Sequence, residues 1–414
     1  MELSKINETL MKYNQMGLVK FYDSLSDEEK YNLIQDIKKI DFDLMEKLFN
    51  LAKNFKTDNT SSIEVLDNIY LKEKINNETY SRWEKIGTDV IQKGEFAVLT
   101  MAGGQGTRLG FNGPKGTYML NVFGGPKSIF EILIDKLKAV KLKYGVTLHW
   151  YIMTSEENNQ DTINFFEAND YFKYGKENIT FFKQGVLPML DVDGNVILDT
   201  KSQVKFAADG NGGVFSAIAH NILEDIKMRN IKWLYISGVD NILVNYADEV
   251  FLGGTIDTGK LIGSKSILKE YAEEKVGVIC KKNGKPGVIE YTEIPENLLN
   301  EKKEDGELLL CESNIVSNIY SVELLEKIGE KNLPYHVAFK KCDVLDNNGE
   351  KISVDTPNAY KFETFIFDSY EYTDDIFILR VKREDEFAPI KNKEGLDSPE
   401  TAIFAYNKKQ TQSQ

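Results

Sequence analysis

Cysteine and histidine are scarce in this 414-residue chain, with three of each. Cys280, Cys311 and Cys342 lie far apart, as do His149, His220 and His336. A zinc site needs clustered Cys or His, and a disulfide framework needs paired spacing, so neither is expected. The same dispersal argues against Cys–His or Ser–His nucleophile chemistry. No apolar window of about 18 residues suggests a transmembrane helix, and the opening MELSKINETL lacks the apolar core of a secretory signal. A cytoplasmic location is the resulting expectation. Net basic charge is missing too: the formal charge is −14, which argues against a nucleic-acid surface. A small polyanion remains a possible partner, because a few cations in one cleft can dominate locally. The expected tools of any chemistry are therefore carboxylates, lysines, backbone amides and a hard metal.

What is present falls into blocks. Residues 1–90 contain no Pro and read as a helical region. Ser26 and Glu29 form a capping box ahead of an apolar face of Leu33, Ile34, Ile37 and Ile40. From about residue 95 the period changes. FAVLTM (96–101), LHWYIMT (148–154), ITFFK (179–183) and KWLYIS (232–237) are short apolar runs with the character of buried strands. Helical stretches at 127–145 and 213–230 lie between them. This alternation predicts an α/β fold whose parallel sheet carries helices on both faces and binds ligand at the strands' carboxyl ends. VGVICKKNGKPGVIEYTEI predicts a hairpin, ENLLNEKKEDGELLL an exposed loop, and KKQTQSQ a frayed polar tail. The expected division is 1–90 (helical), 91–400 (catalytic) and 401–414 (tail).

The most informative stretch is LTMAGGQGTRLGFNGPKG, residues 99–116, which holds six glycines, Arg108 and Lys115 behind a predicted strand. Glycines let backbone amides turn towards an anion without obstruction by a Cβ. A Walker-type loop requires Gly-Lys-Ser/Thr, whereas the order here is Pro114-Lys115-Gly116. A dinucleotide fingerprint requires Gly where Leu109 stands, which disfavours a nicotinamide oxidoreductase. A loop that merely packs would leave both cations unexplained.

The segment AGGQGTRLG…PKG instead resembles the nucleotidyltransferase loop of sugar-nucleotide pyrophosphorylases. GGQGTRLG, QGVLPML, DGNGG, GVDNILV, VIEYTEI, PNAYKFETFIFD and REDEFAPIKN occur in the order found in UDP-N-acetylhexosamine pyrophosphorylases, across roughly residues 90–400. These belong with UDP-glucose pyrophosphorylases in one broader family. The loop's form is similar to the N-acetylhexosamine branch. The resemblance implies a Rossmann-like mixed-sheet nucleotidyltransferase core of GT-A-like type, here with an N-terminal helical region and a short C-terminal extension.

It also implies roles for particular residues. Met101, Ala102, Gly103 and Gly104 match the uridine-nucleotide segment, and Arg108 and Lys115 the loop cations. Gln184 matches a uracil-contacting amide; a solvated strand-end glutamine is its plain alternative. Gly210 and Asn211 match a uracil-packing glycine and a sugar-holding asparagine, within ADGNGG, which is also good turn sequence. Asp240 matches a ligand for Mg²⁺ (or Mn²⁺), the alternative being a local cap for Asn241 and Ile242. Glu290 and Tyr291 match a sugar-contacting pair, although strand alternation would put Glu290 and Thr292 on one face and Tyr291 on the other. Phe365 and Phe367, expected on one strand face, match aromatics near the N-acetyl pocket, a spacing that equally suits core. Lys361 matches a lysine on the nucleotide phosphates and Lys391 one on the sugar phosphate.

The implied partners are UTP, an N-acetylhexosamine 1-phosphate, the UDP-sugar and pyrophosphate, with no nucleic acid or membrane and with the oligomeric state open. The same chemistry on glucose 1-phosphate and a catalytically silent UDP-sugar-binding protein are the competing expectations.

Overall fold

A computed structural model describes residues 2–54, 62–329, 331 and 333–412. The chain forms two compact units. The larger comprises Asn59–Gln184, Val214–Asn332 and Ile366–Gln414. Its sheet is built on β1 (Ile69–Leu71), β2 (Phe96–Met101), β3 (Trp150–Thr154), β4 (Ile179–Lys183), β5 (Trp233–Gly238), β6 (Ile262–Leu268), β7 (Val278–Lys282), β8 (Lys285–Ile289), β9 (Glu312–Ser321) and β10 (Phe377–Arg380). The main path runs β1-β10-β6-β9-β5-β2-β3-β4.

All pairings on this path are parallel except those of β9, which is antiparallel to both β5 and β6. The parallel sheet that the alternation predicts is thus corrected to the mixed sheet that the resemblance implies. The cause is the route of the chain. It leaves β6 at the carboxyl edge, makes the β7–β8 hairpin, and re-enters at Glu312 opposite Leu268. No helical crossover carries it back to the other edge, so the returning strand must run antiparallel.

Phe96, Ala97, Val98 and Leu99 of β2 are all buried, as expected for a strand covered on both faces. The helix Ile129–Tyr144 starts where the Ser128 hydroxyl accepts a hydrogen bond from Glu131 N–H and stops at left-handed Gly145. The hairpin turns at Asn283 and Gly284, both with positive φ, as a type I′ turn requires. Lys285, Pro286 and Gly287 belong to β8, which pairs only with β7 among the described residues. That outer position tolerates the missing proline N–H.

Several boundaries differ from expectation. Residues 62–92 are not a continuation of the N-terminal helices. They include strands Ile63–Glu64 and β1, and they pack in the larger unit with the helix Asn77–Gln92. The 213–230 stretch breaks at Ile222 into helices Val214–Asn221 and Leu223–Met228. The loop beginning at Glu296 opens with the helical turn Glu296–Leu299. The tail is helical over Pro399–Gln412, held by buried Ala402 and Tyr406.

The smaller unit joins Met1–Asp58, Gly185–Gly213 and Leu333–Phe365. The capping box at Ser26 and Glu29 is formed, and Leu33, Ile37 and Ile40 are buried. These side chains share a core with Leu10, Leu48, Leu190 and Phe362. The 1–90, 91–400 and 401–414 division therefore does not coincide with the compact units, because the first helices bury their apolar faces against segments distant in sequence.

The helices Asn77–Gln92 and Glu249–Asp257 approach until backbones touch. A Cβ on Gly253 would lie 1.8 Å from the Trp83 carbonyl oxygen, and one on Gly87 would lie 2.0 Å from that of Glu249. Gly253→Val is expected to destabilise the protein by about 2–3 kcal/mol, read as a lower urea midpoint. An unchanged midpoint would refute the contact.

Candidate active site

β2 and β5 are neighbours in parallel register, with Met101 opposite Gly238. Both chains leave the sheet at this point. Val239 N–H donates to the Met101 carbonyl at 3.1 Å, and Ala102 N–H to that of Met153 at 2.7 Å. The glycine loop and Asp240 therefore start side by side.

The loop folds back on itself. Lys115 N–H donates to Gly104 O at 3.1 Å, and Gly106 N–H to Gly113 O at 2.9 Å. Lys115 thereby returns to the base of the loop. Its amine is pushed below the ordinary lysine range, chiefly by burial. Asp240 and Asp397 oppose that shift, while Lys391 and Arg108 add repulsion. Lys115, Arg108, Asp240 and Lys391 are thus brought within electrostatic reach of one another, three cations facing one carboxylate in addition to Asp397.

Two close approaches set the site's floor. A Cβ on Gly103 would lie 2.6 Å from Gln184 Oε1, so the glutamine amide rests on the loop backbone. A Cβ on Gly238 would lie 2.5 Å from Asp240 Oδ1. The Asp240 carboxylate makes no hydrogen bond or ion pair among the described residues, which sets aside its reading as a local cap. The Asp240 carbonyl accepts from Ile390 N–H at 3.0 Å. Lys391 follows directly, its ammonium 3.4 Å from Asp397.

In the smaller unit, Gly210 and Asn211 lie in a turn packed on the end of the Ala359–Glu363 strand. Thr364 N–H donates to Asp209 O at 2.7 Å, and Gly212 N–H to Thr364 O at 2.9 Å. Lys361 pairs with Glu363 at 2.7 Å. The Phe365 ring lies 4.6 Å from that of His336. Gly210, Asn211, Lys361 and Phe365 are thus gathered in one corner of this unit.

Two expectations are corrected. The Ala359–Glu363 strand ends before Phe365, and Phe367 lies in the 3-10 turn Ile366–Tyr372, so these rings share no strand face. The pairing stops because Thr364 N–H turns to Asp209. Phe367 is buried and Phe365 half-buried. β8 ends at Ile289, and Glu293 N–H closes a turn on Glu290 O at 2.8 Å. Strand alternation therefore does not govern Glu290 and Tyr291. Glu290 lies against Gly277, and Tyr291 is exposed.

Two asparagines and one aspartate complete the picture. Fully buried Asn158 donates from Nδ2 to Ala102 O at 3.0 Å and Gly104 O at 3.3 Å. It stands at the start of the helix Asn159–Ala168, yet its side chain makes no cap bond. Asn241 donates to Glu386 O at 2.7 Å and accepts from Ala388 N–H at 3.0 Å, tying the Lys391 segment to the Asp240 turn. Asp209 has a buried oxygen with no partner, and burial pushes its carboxyl up to about 6 despite the backbone and Lys361.

The model of the UTP–glucose-1-phosphate uridylyltransferase family matches residues 44–414. The chain belongs to this family. It is 37% identical over 430 residues to UDP-N-acetylglucosamine pyrophosphorylase of Saccharomyces cerevisiae, covering 98% of this chain and 90% of that one. It is 35% identical over 417 residues to UDP-N-acetylglucosamine diphosphorylase 2 of Arabidopsis thaliana, covering 95% and 81%. The structure of the uridine diphosphate N-acetylglucosamine pyrophosphorylase from Trypanosoma brucei, in complex with inhibitor, matches with a TM-score of 0.83 at 27% identity, over 98% of this chain and 84% of that one. The mixed-sheet fold is therefore that of a sugar-nucleotide uridylyltransferase family member.

Asn158→Leu should cost about 2–3 kcal/mol, because two loop carbonyls lose their donor in a buried setting; chemical denaturation measures it. Asp209 gives a pH signature. Its folded pKa of about 6 lies above the ordinary aspartate value of 3.8, so between these values the folded state holds a proton that the unfolded state lacks. Stability from this group falls as pH rises through that window. Asp209→Asn should flatten the slope and gain on the order of 2 kcal/mol at neutral pH. A parallel pair of stability–pH curves would refute the assignment.

Proposed function

We propose that this chain transfers a uridylyl group from UTP to an N-acetylhexosamine 1-phosphate, giving the UDP-sugar and pyrophosphate. The observation that carries this reading is the convergence of Arg108, Lys115, Asp240 and Lys391 behind the glycine loop. The relatives named above support the choice of acetylated sugar. A phosphate oxygen of the sugar 1-phosphate attacks the α-phosphorus. The bond from that phosphorus to the oxygen bridging to the β-phosphorus breaks, and that oxygen leaves with pyrophosphate. No protein nucleophile is needed, in keeping with the scarcity of Cys and His. Catalysis is then positioning and charge neutralisation.

The loop segment from Ala102 to Gly104 carries the nucleotide, with Met101 at its base and Gln184 reading the uracil edge by donating and accepting. Arg108 and Lys115 offset charge on the departing pyrophosphate. Lys391 holds the attacking phosphate. The resemblance further assigns Gly210 to uracil, Lys361 to the nucleotide phosphates, and Asn211, Phe365, Glu290, Tyr291 and Phe367 to the sugar.

Mg²⁺ (or Mn²⁺) is the proposed cofactor. The unpartnered Asp240 carboxylate suits it, because Mg²⁺ is commonly held by one or two carboxylates, substrate phosphates and waters. Among the described residues no cluster of three or more His, Cys, Asp or Glu offers a cage, so Asp240 would be the protein's main ligand. When bound, the ion supplies charge neutralisation at the phosphates.

Pyrophosphate release from UTP and Mg²⁺ is expected with GlcNAc 1-phosphate or GalNAc 1-phosphate, and to a smaller extent with glucose 1-phosphate. Release with glucose 1-phosphate alone would move the chain to the other sugar. Silence with all three sugars, in protein that binds UTP, would support a binding protein without turnover. Lys391→Ala should lower turnover by about 10²–10³-fold, and unchanged turnover would remove Lys391 from the site.

A further inference from the structure

The loop after β2 has a base and a tip. Its base lies at Ala102 and Gly104, where Asn158 binds both carbonyls and Lys115 N–H returns to Gly104 O. The bond from Gly106 N–H to Gly113 O closes the loop beyond that point, so residues 107–112 form the tip. The 3-10 turn Thr107–Leu109 carries Arg108 there and ends at Gly110, whose φ of +70° is left-handed.

A second loop meets this tip. Ile390 N–H donates to Asp240 O, and the chain then turns. Lys391 N–H and Asn392 N–H both donate to Asp397 O, at 2.6 and 3.0 Å, and Asn392 Nδ2 donates to Leu396 O at 2.9 Å. These bonds close residues 391–397 into a compact loop, with Gly395 and Asp397 at positive φ. Lys393 projects from it. Its Cδ and Cε each lie 3.9 Å from the position that a Cβ on Gly110 would take, so the lysine stem lies over the tip of the glycine loop.

The protein supplies no counter-charge to this side chain. Lys393 is exposed, and its ammonium has no hydrogen-bond or ion-pair partner among the described residues. Asp397 is turned to Lys391 at 3.4 Å, and Glu394, next in the chain, makes no ion pair with Lys393. The Arg108 guanidinium and the Lys115 ammonium are likewise unpaired among the described residues. The two loops thus set Arg108, Lys115, Lys391 and Lys393 against Asp240 and Asp397, an excess of positive charge that a polyphosphate would neutralise. The REDEFAPIKN motif ends at Asn392, so the resemblance gives Lys393 no role.

We propose that Lys393 contacts the terminal phosphate of UTP, and the corresponding end of pyrophosphate when the reaction runs in reverse. This rests on the uridylyl-transfer reading. The proposed uridine segment, Met101–Gly104, is at the loop's base. A triphosphate extended along the loop therefore directs its terminal phosphate to the tip, where Arg108 and Lys393 stand. Lys393 serves there as a point charge and takes no part at the α-phosphorus. It favours the triphosphate over nucleotides that lack the third phosphate.

Calorimetric titration of the full chain with UTP and with UDP, both in Mg²⁺, tests this without turnover. Lys393→Met keeps the stem over Gly110 and removes the charge. Its UTP affinity should fall at least about fivefold, the size of one exposed charge-assisted contact, and its UDP affinity should match that of wild type. Lys393→Arg should keep UTP affinity. In the reverse direction, KM for pyrophosphate should rise by the same factor and KM for the UDP-sugar should stay constant, a split that general loosening of the loop would not produce. Unchanged UTP affinity in Lys393→Met, or an equal loss for UTP and UDP, would overturn the inference and leave the proposed function standing. UTP binding without pyrophosphate release would count against the proposed function alone. Failure of the wild type to bind UTP would overturn both.

Discussion

The register that pairs Met101 with Gly238 governs the chemistry of the larger unit. Two parallel strands end level with each other, so the loop after one and the carboxylate after the other emerge at the same height. A slip of one residue would turn the strand's side chains to the opposite face and carry Asp240 with them. Burial on both faces of β2 and β5 makes such a slip costly. The hydrophobic core thus fixes the placement of charged groups that it does not touch.

Around that register the polar groups act as fasteners. Asn158 holds the loop's first carbonyls from below, and Asn241 holds the segment leading to Lys391. Neither needs to meet a ligand to matter. Each satisfies backbone groups that a buried loop would otherwise leave unpaired. Farther along the edge, Lys265 of β6 ties Asp248 to Glu386 with full charges in place of amides. A network of that kind is rigid when complete and expensive when any member is missing.

Much of this was legible in the sequence. Continuous apolar runs marked β2, β3, β4 and β5, and six glycines with two cations marked the loop. Local signals also placed the capping box at Ser26 and the hairpin near Asn283. What stayed hidden was decided at long range. The direction of β9 follows from where the chain re-enters the sheet. The break between Phe365 and Phe367 follows from a hydrogen bond to Asp209, over 150 positions away. Asn158 has the local appearance of a helix cap, and only the fold shows its side chain turned to Ala102 and Gly104. The resemblance to a family supplied Lys361 and Lys391, which no spacing rule would have singled out among the chain's lysines.

The antiparallel entry of β9 has a consequence for how such a protein can diversify. Everything from residue 269 to 311 leaves and rejoins the sheet at the same edge, between Leu268 and Glu312. That excursion carries the β7–β8 hairpin and Glu290. Its length can change without altering the order or direction of any strand on the main path, and closing a longer loop adds only a logarithmic entropy cost. Insertions and deletions can therefore accumulate there while the nucleotide loop, on the far side of β9, keeps its geometry. One wall of the molecule can be rewritten by drift in loop length, and the phosphate-handling machinery stays under the restraint of the core.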